Sequence, residues 1–284
     1  METSHPATIV ERVRRSFSDL TPTEKKVGRA LLARYPAAGL AGVSEWAEES
    51  RTSTASVIRL VQKLGFDGYA NFHGALLSEL SNRQAGPRER LATSVDPPPG
   101  ILAGLAAALS SSVATIADTV PVAEYDAAVE CLVNAKYRIV MMGGRVSQAW
   151  AEMLATYVSR LRSDVAVLSR DPGRRVAALL DLSSKSVLVA FDFRRYDDAT
   201  LRVVQEAHRR RTRVILVTDT WLSPAASYAD IVLPVSVEVP SPFDTSVTAI
   251  ALVECLTWSV VQRLGAVGAE RMRQWDATAT HSLS

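Results

Sequence analysis

The chain has 284 residues, a formal net charge of +2 and 48% hydrophobic residues. It is long enough for two globular domains and too nearly neutral to hold nucleic acid through a global field, so any DNA contact must come from a local basic patch. Its two cysteines, Cys131 and Cys255, lie far apart, each inside a helical pattern. They exclude a disulfide framework and a cysteine metal site and fit a reducing cytoplasm, with no cofactor implied. The stretch Met1 to Pro6 lacks a basic region followed by an apolar core, so no secretory signal is expected.

The first segment is helical: Ile9, Val13 and Phe17 recur every four residues. Thr21-Pro22-Thr23-Glu24 is a helix start, with Thr21 as cap, Pro22 at the first helical position and Glu24 closing a capping box. Val27, Ala30 and Leu31 form that helix's apolar side. Val43, Trp46 and Ala47 mark a short helix, and a turn through Ser50-Arg51 leads to Thr52–Phe66. In that stretch Val57, Leu60, Val61 and Leu64 form one apolar stripe of a 3.6-residue helix. Thr52 and Ser53 supply hydroxyls for its free N–H groups, and Gly65 is the left-handed stop. Ser56, Arg59 and Lys63 are expected on the outward face, where they can meet an acidic groove. Two short helices joined by a tight turn, the second polar outside, make a helix-turn-helix. Tyr69, Phe72, Leu76, Leu77 and Leu80 predict a covering helix that completes a five-helix, all-α domain over residues 1–80.

Residues 81–100 break the periodicity. Arg83, Arg88 and Arg90 are mixed with Gly86, Pro87 and the run Pro97-Pro98-Pro99-Gly100, which reads as a linker. Ile101 to Ala117 carries no charge over nearly a bilayer's length, but its Ala, Gly and Ser content predicts a packed interface helix rather than a membrane span. The second domain, residues 101–284, then alternates. Short Val/Ile/Leu-rich strands at 137–142, 165–168, 187–191, 214–218 and 231–235 are separated by helices, and a long helix from about Thr245 to Leu264 follows the last. Such strands predict an α/β domain with a five-stranded parallel sheet covered on both faces, whose ligands sit outside the carboxyl ends of the strands. Gly143 to Ser147, Asp192 to Asp197 and Thr218 to Ser223 are therefore the loops that matter.

Both halves resemble one family. Ser56, Arg59, Lys63-Leu64-Gly65-Phe66, Gly68-Tyr69 and Phe72 are similar to the N-terminal domain of RpiR-type transcriptional regulators. The strand, loop and helix at Gly143 to Ser147, with Thr218-Asp219, Ser223-Pro224 and Ala229-Asp230, resemble the sugar isomerase (SIS) domain those regulators carry. The resemblance implies a cytoplasmic regulator, a homodimer or tetramer, that binds a double-stranded DNA operator and responds to a small anionic metabolite such as a sugar phosphate. It places Ser53, Thr54, Ser56 and Arg59 against bases or phosphates and Lys63 against phosphate. Gly143, Arg145, Ser147, Asp192, Arg194, Arg195, Thr218 and Ser223, in the strand-end loops, are the candidate ligand-binding residues.

Two departures stand out. Arg145 replaces the second glycine of the family's Gly-x-Gly-x-Ser loop, and Asp192-Phe193-Arg194-Arg195-Tyr196-Asp197 replaces its Ser-x-Ser-Gly-x-Thr phosphate loop. Either the arginines hold an anion in place of hydroxyls, or Asp192 and Asp197 neutralise them in a structural network. Ser147 and Ser223 are equally explicable as helix caps. The competing classes are an SIS-type aminosugar-phosphate isomerase or deaminase, and a regulator whose SIS domain only dimerises. None of His5, His73, His208 and His281 lies at a strand end, where an isomerase would place its base.

Overall fold

In the computed structural model, residues 9–84, 86–93 and 100–282 are described. The chain divides into two units, Met1–Ala85 and Gly86–Ser284.

The first unit is built from α1 (Ile9–Ser16), a 3-10 turn (Phe17–Asp19), α2 (Pro22–Ala33), α3 (Ala37–Leu40), α4 (Val43–Glu49), α5 (Thr54–Lys63) and α6 (Tyr69–Gln84). The capping box forms as predicted: Glu24 N donates to Thr21 Oγ1, and Thr21 N donates to Glu24 Oε2 at 2.8 Å. The helices close over a core of Val13, Val27, Leu31, Trp46, Val57, Leu60, Phe72 and Leu76. Trp46 is its largest member. Its indole N–H donates to the Val27 carbonyl at 3.1 Å, so burying the ring strands no polar atom. The ring lies 5.3 Å from that of Phe72, which fixes α4 against α6.

Two expectations need correction here. α3, four residues long, carries no periodic signature, so the first unit has, among the described residues, one α-helix more than the five expected. Residues 81–93 are not an irregular linker either, since α6 runs on to Gln84 and α7 occupies Pro87–Thr93. Pro87 suits the first helical position, and Arg88, Glu89, Arg90 and Leu91 are good helix formers, so local propensity prevails over the missing apolar stripe. The Pro97-Pro98-Pro99 run lies outside the described residues.

The second unit continues from α7 with α8 (Ile101–Ala114), α9 (Ile116–Thr119), α10 (Val122–Val133), β1 (Arg138–Gly143), α11 (Gln148–Ser159), β2 (Val165–Val167) and α12 (Pro172–Leu180). Then follow β3 (Ser186–Asp192), α13 (Asp198–Arg209), β4 (Arg213–Asp219), a 3-10 turn (Pro224–Tyr228), β5 (Ile231–Val235) and α14 (Val247–Ser282). The five strands are all parallel in the order β2-β1-β3-β4-β5. Alternate strand residues face opposite layers. Ile139, Met141, Val189, Phe191 and Ile215 pack on α10, α11 and α14, while Val140, Met142, Leu188, Ala190 and Leu216 pack on α13 and partly on α12. Double coverage is why every residue of β3 is buried.

Strand order reverses between β1 and β3, since β2 lies on one side of β1 and β3, β4 and β5 lie on the other. Loops leaving such a switch point diverge and open a crevice. Here they are the loops after Gly143 and after Asp192. At the opposite ends of the strands, buried Arg162 donates to the carbonyls of Leu132, Asn134, Tyr137 and Ser163. One guanidinium thereby joins the end of α10 to the entry of β1.

α14 outruns its predicted end near Leu264. Its backbone breaks at Gly265 (φ 47°) and helix resumes as far as Ser282. No residue of α8 is buried within the chain, and Ile101 and Leu102 are exposed. Ile101–Thr119 is long and apolar enough to cross a bilayer by length and composition alone.

Candidate functional site

α5 presents the face that the sequence singles out. Ser53 caps it, accepting from Ser56 N at 3.3 Å, and Gly65 (φ 88°) ends it. Val57, Leu60, Val61 and Leu64 are buried as expected, while Thr54, Ala55, Ile58, Arg59, Gln62 and Lys63 are exposed. No acidic residue occurs from Arg51 to Phe66.

Ser56 is a correction. It is 2% exposed, not outward, because a position three residues after the cap turns back under the first turn of the helix. Its hydroxyl pairs with Ser53 Oγ at 3.0 Å and accepts from Arg59 Nη2 at 2.9 Å. Ser56 therefore braces Arg59 from within. Lys63 is also held from within, its ammonium 2.8 Å from Glu24 Oε2 and 3.3 Å from the Asp19 carbonyl. The outward surface has two members that the sequence reading missed, Ile58 and Gln62, each four residues on from Thr54 in turn. Such a surface suits a groove. Gln can pair with an adenine edge, Arg with guanine or phosphate, and an apolar side chain with a thymine methyl.

At the carboxyl ends of the strands the structure joins most of the anticipated residues, but to one another. The Ser147 hydroxyl donates to the Phe191 carbonyl at 2.8 Å and accepts from Gly144 N at 2.9 Å, stitching the first loop to β3. It is not a side-chain cap of α11. Gly143 N donates to Gln148 Oε1 at 2.9 Å, and a Cβ on Gly143 would lie 2.4 Å from the Ser147 carbonyl carbon. Thr218 Oγ1 accepts from Ser223 N at 3.1 Å. Ser223 Oγ accepts from Ala225 N and donates to Asp192. Asp192 is 2% exposed and also accepts from Asp197 N at 3.2 Å. Burial pushes its carboxyl up to about 6, against the lowering effect of those two hydrogen bonds and with help from the charges of Asp197 and Asp219.

The three arginines part company. Arg145 and Arg195 are exposed, Arg195 with a left-handed backbone (φ 61°). The Arg194 side chain is only 3% exposed. Its guanidinium lies 4.6 Å from the Trp221 ring centroid, donates through Nε and Nη2 to one oxygen of Asp244, and stands 3.9 Å from Glu238. Its backbone N–H donates to Asp219 at 2.6 Å, and Asp219 also takes Tyr196 Oη and Trp221 N. An internal network has formed, but not from the expected carboxylates. Asp192 and Asp197 serve Ser223 and the backbone, while Asp244 and Glu238, in the loop after β5, meet the arginine. Trp221 Nε1 is buried with no hydrogen-bond partner among the described residues. A buried guanidinium beside an unsatisfied indole donor leaves a surplus of donors for an acceptor-rich ligand.

Comparison with known proteins agrees with both halves. Residues 7–83 match the helix-turn-helix domain of the rpiR family, and residues 131–259 match the SIS domain. A helix-turn-helix (HTH)-type transcriptional regulator of Haemophilus influenzae is 23% identical over 229 residues, 79% of this chain and 78% of that protein. A second such regulator, from Thermotoga maritima, is also 23% identical, over 79% of this chain and 80% of its own length. Among solved structures, the Vibrio vulnificus NanR protein complexed with ManNAc-6P covers 95% of this chain and 97% of its own at 18% identity and a TM-score of 0.56. The sugar isomerase domain of an RpiR transcription factor from Sphaerobacter thermophilus covers 61% of this chain and 96% of its own at 22% identity and a TM-score of 0.57. With an rpiR-type helix-turn-helix followed by an SIS domain, the chain belongs to the RpiR family of HTH-type transcriptional regulators.

Proposed function

We propose that this regulator reads a double-stranded operator with α5 and that a small anion bound outside the carboxyl ends of β1, β3 and β4 sets its operator affinity. The observation that carries the effector reading is Arg194, buried over Trp221 beside an unsatisfied indole N–H. Arg145 and Arg195 add exposed guanidiniums from the two loops of the switch point. The hydroxyls of Ser147, Thr218 and Ser223 are engaged within the chain, so recognition falls to guanidiniums and the indole. That donor set suits a carboxylate or a phosphate, a sugar phosphate included.

On the DNA side, Ser53, Thr54 and Arg59 stand at the N-terminal half of α5, the part of a recognition helix that meets base edges. A homodimer joined through the SIS half presents two such helices to a two-fold operator. The uncovered apolar face of α8 suits that contact. An SIS-type isomerase would need a free base near neutral pKa. Asp192 titrates near 6, but it is buried and bonded to Ser223 and to Asp197 N.

A thermal-shift panel of sugar phosphates, sugar acids and small di- and tricarboxylates tests the effector reading. A ligand of the folded state at a hundredfold excess over its Kd stabilises by about 2.7 kcal/mol. The expected result is a shift from at least one anion that Arg194→Met removes. If no anion shifts the transition, the SIS half only dimerises. In parallel, Arg59→Ala should lower operator affinity, and unchanged binding with unchanged salt dependence would refute the reading of α5.

A further inference from the structure

Asp244 accepts from two arginines that come from different parts of the second unit. Arg194 reaches it from the loop after β3, through Nε at 2.7 Å and Nη2. Arg90, on α7, reaches the same Oδ1 through Nη1 at 2.6 Å and donates through Nη2 to the Ser241 carbonyl at 3.1 Å. One carboxylate oxygen thus holds both the candidate effector arginine and the helix that follows α6 in the chain after residues 85 and 86. Asp244 is partly shielded, its side chain 30% exposed, and Arg90 is more so at 20%.

We propose that Asp244 is a built-in stand-in for the effector anion: it competes for Arg194, and its release from Arg194 tightens the hold of the SIS half on α7. The proposal rests on the reading of the strand-end crevice as an anion site. Two guanidiniums on one oxygen repel each other and divide its lone pairs. An incoming carboxylate or phosphate that engages Arg194 leaves Asp244 to Arg90 alone, with both carboxylate oxygens free to form the bidentate pair that arginine favours. Effector binding and α7 docking therefore reinforce each other, and by linkage the reinforcement is reciprocal. While α7 is docked, only positions 85 and 86 separate it from α6 in the sequence. With α7 released, the stretch between α6 and the next helix of the second unit, α8, spans positions 85–100. A longer tether lowers the effective concentration of the second recognition helix once the first is on the operator. An anion that clasps α7 thus favours two-helix binding.

The test uses the full-length protein, with inorganic phosphate and citrate as probes and hydrogen exchange of the peptide spanning residues 86–93 as readout. In the wild type a bound probe should slow exchange there by about fivefold, the low end of allosteric couplings. Arg194→Met should abolish probe binding and slow exchange in 86–93 without any probe, because Asp244 then belongs to Arg90. Asp244→Asn, close to isosteric, should tighten probe binding and speed exchange, and the probe should no longer change it. Arg90→Gln should speed exchange and weaken probe binding, since Asp244 then closes on Arg194. Should Arg194→Met speed exchange in 86–93, the shared-acceptor account is overturned, whatever the probes do. Should the probes bind wild type and Arg194→Met equally, or bind neither Asp244→Asn nor wild type, the anion site is overturned and the competition with it. Should they bind through Arg194 while Asp244→Asn changes neither their affinity nor the exchange, the site stands and the link to α7 falls.

Discussion

The inward tie of Lys63 makes a sharp prediction about a residue that a basic helix face would assign to DNA. Its ammonium sits 2.8 Å from Glu24, whose side chain is 4% exposed while that of Lys63 is 42% exposed. Burial alone pushes the Glu24 carboxyl up, but the bond from Lys63 and those from the Thr21 N–H and hydroxyl more than offset it, leaving the carboxyl below its ordinary value. Because the lysine is half in solvent, the pair is worth no more than about 1 kcal/mol, the upper end for exposed ion pairs. Lys63→Met keeps the aliphatic stem and removes the charge. It should cost the first unit up to that much in urea unfolding at neutral pH. With a depressed folded-state pKa, Glu24 contributes its stability above the unfolded value of about 4.3 and loses it as pH falls through the folded value. The deficit of Lys63→Met should therefore vanish in acid. On an operator, each phosphate contact adds about 0.9 to the slope of log affinity against log salt. Held by Glu24, Lys63 adds nothing, so Lys63→Met should leave the slope unchanged while Arg59→Ala weakens binding. A slope reduced by about one, with the urea midpoint unmoved, would show that Lys63 contacts phosphate and refute the argument.

Asp192, with its carboxyl raised to about 6, contributes stability that is fully present below about 4 and lost as pH rises through 6, on the order of 3 kcal/mol in all. Asp192→Asn should flatten the pH dependence of the second unit's urea midpoint between pH 4 and 7 on the order of that amount, and an unchanged profile would refute it. Gly143→Ala drives a Cβ to 2.4–2.5 Å from the backbone of Ser147 and Gln148. Backbone cannot swing aside as a side-chain tip can, so we expect a loss of at least about 2 kcal/mol in the same assay. Arg162→Met strands the carbonyls of Leu132, Asn134, Tyr137 and Ser163, and should cost about 3 kcal/mol.

What was legible follows from physical range. The strands at 139–142, 187–191 and 214–217 are apolar on both faces and announce a covered parallel sheet by themselves. The cap at Thr21 and the stop at Gly65 are decided by neighbours within four residues. Ser56 defeats simple face counting because its hydroxyl reaches back to Ser53 and forward to Arg59, and it spends the serine inside. The last helix is expected to end at about Leu264, yet the chain absorbs a positive φ at Gly265 and stays helical beyond it. At the candidate effector site, the loops were legible from the carboxyl-end rule and the partners were not. Asp244 lies 50 residues from Arg194 in a loop with no pattern of its own, and Arg90 reaches it across 154 residues. Which carboxylate neutralises which arginine is settled by packing.

The first strand-end loop also shows how such a sensor changes ligand without losing its fold. Position 143 admits no side chain, because the first turn of α11 occupies the space where one would stand. Two residues on, Arg145 has a backbone open to any residue and a side chain in solvent. Mutation can therefore sample new chemistry at 145 and is barred at 143. The loop separates the residue that holds the fold from the residue that chooses the ligand, so relatives of this regulator can diverge in what they sense while keeping the same sheet.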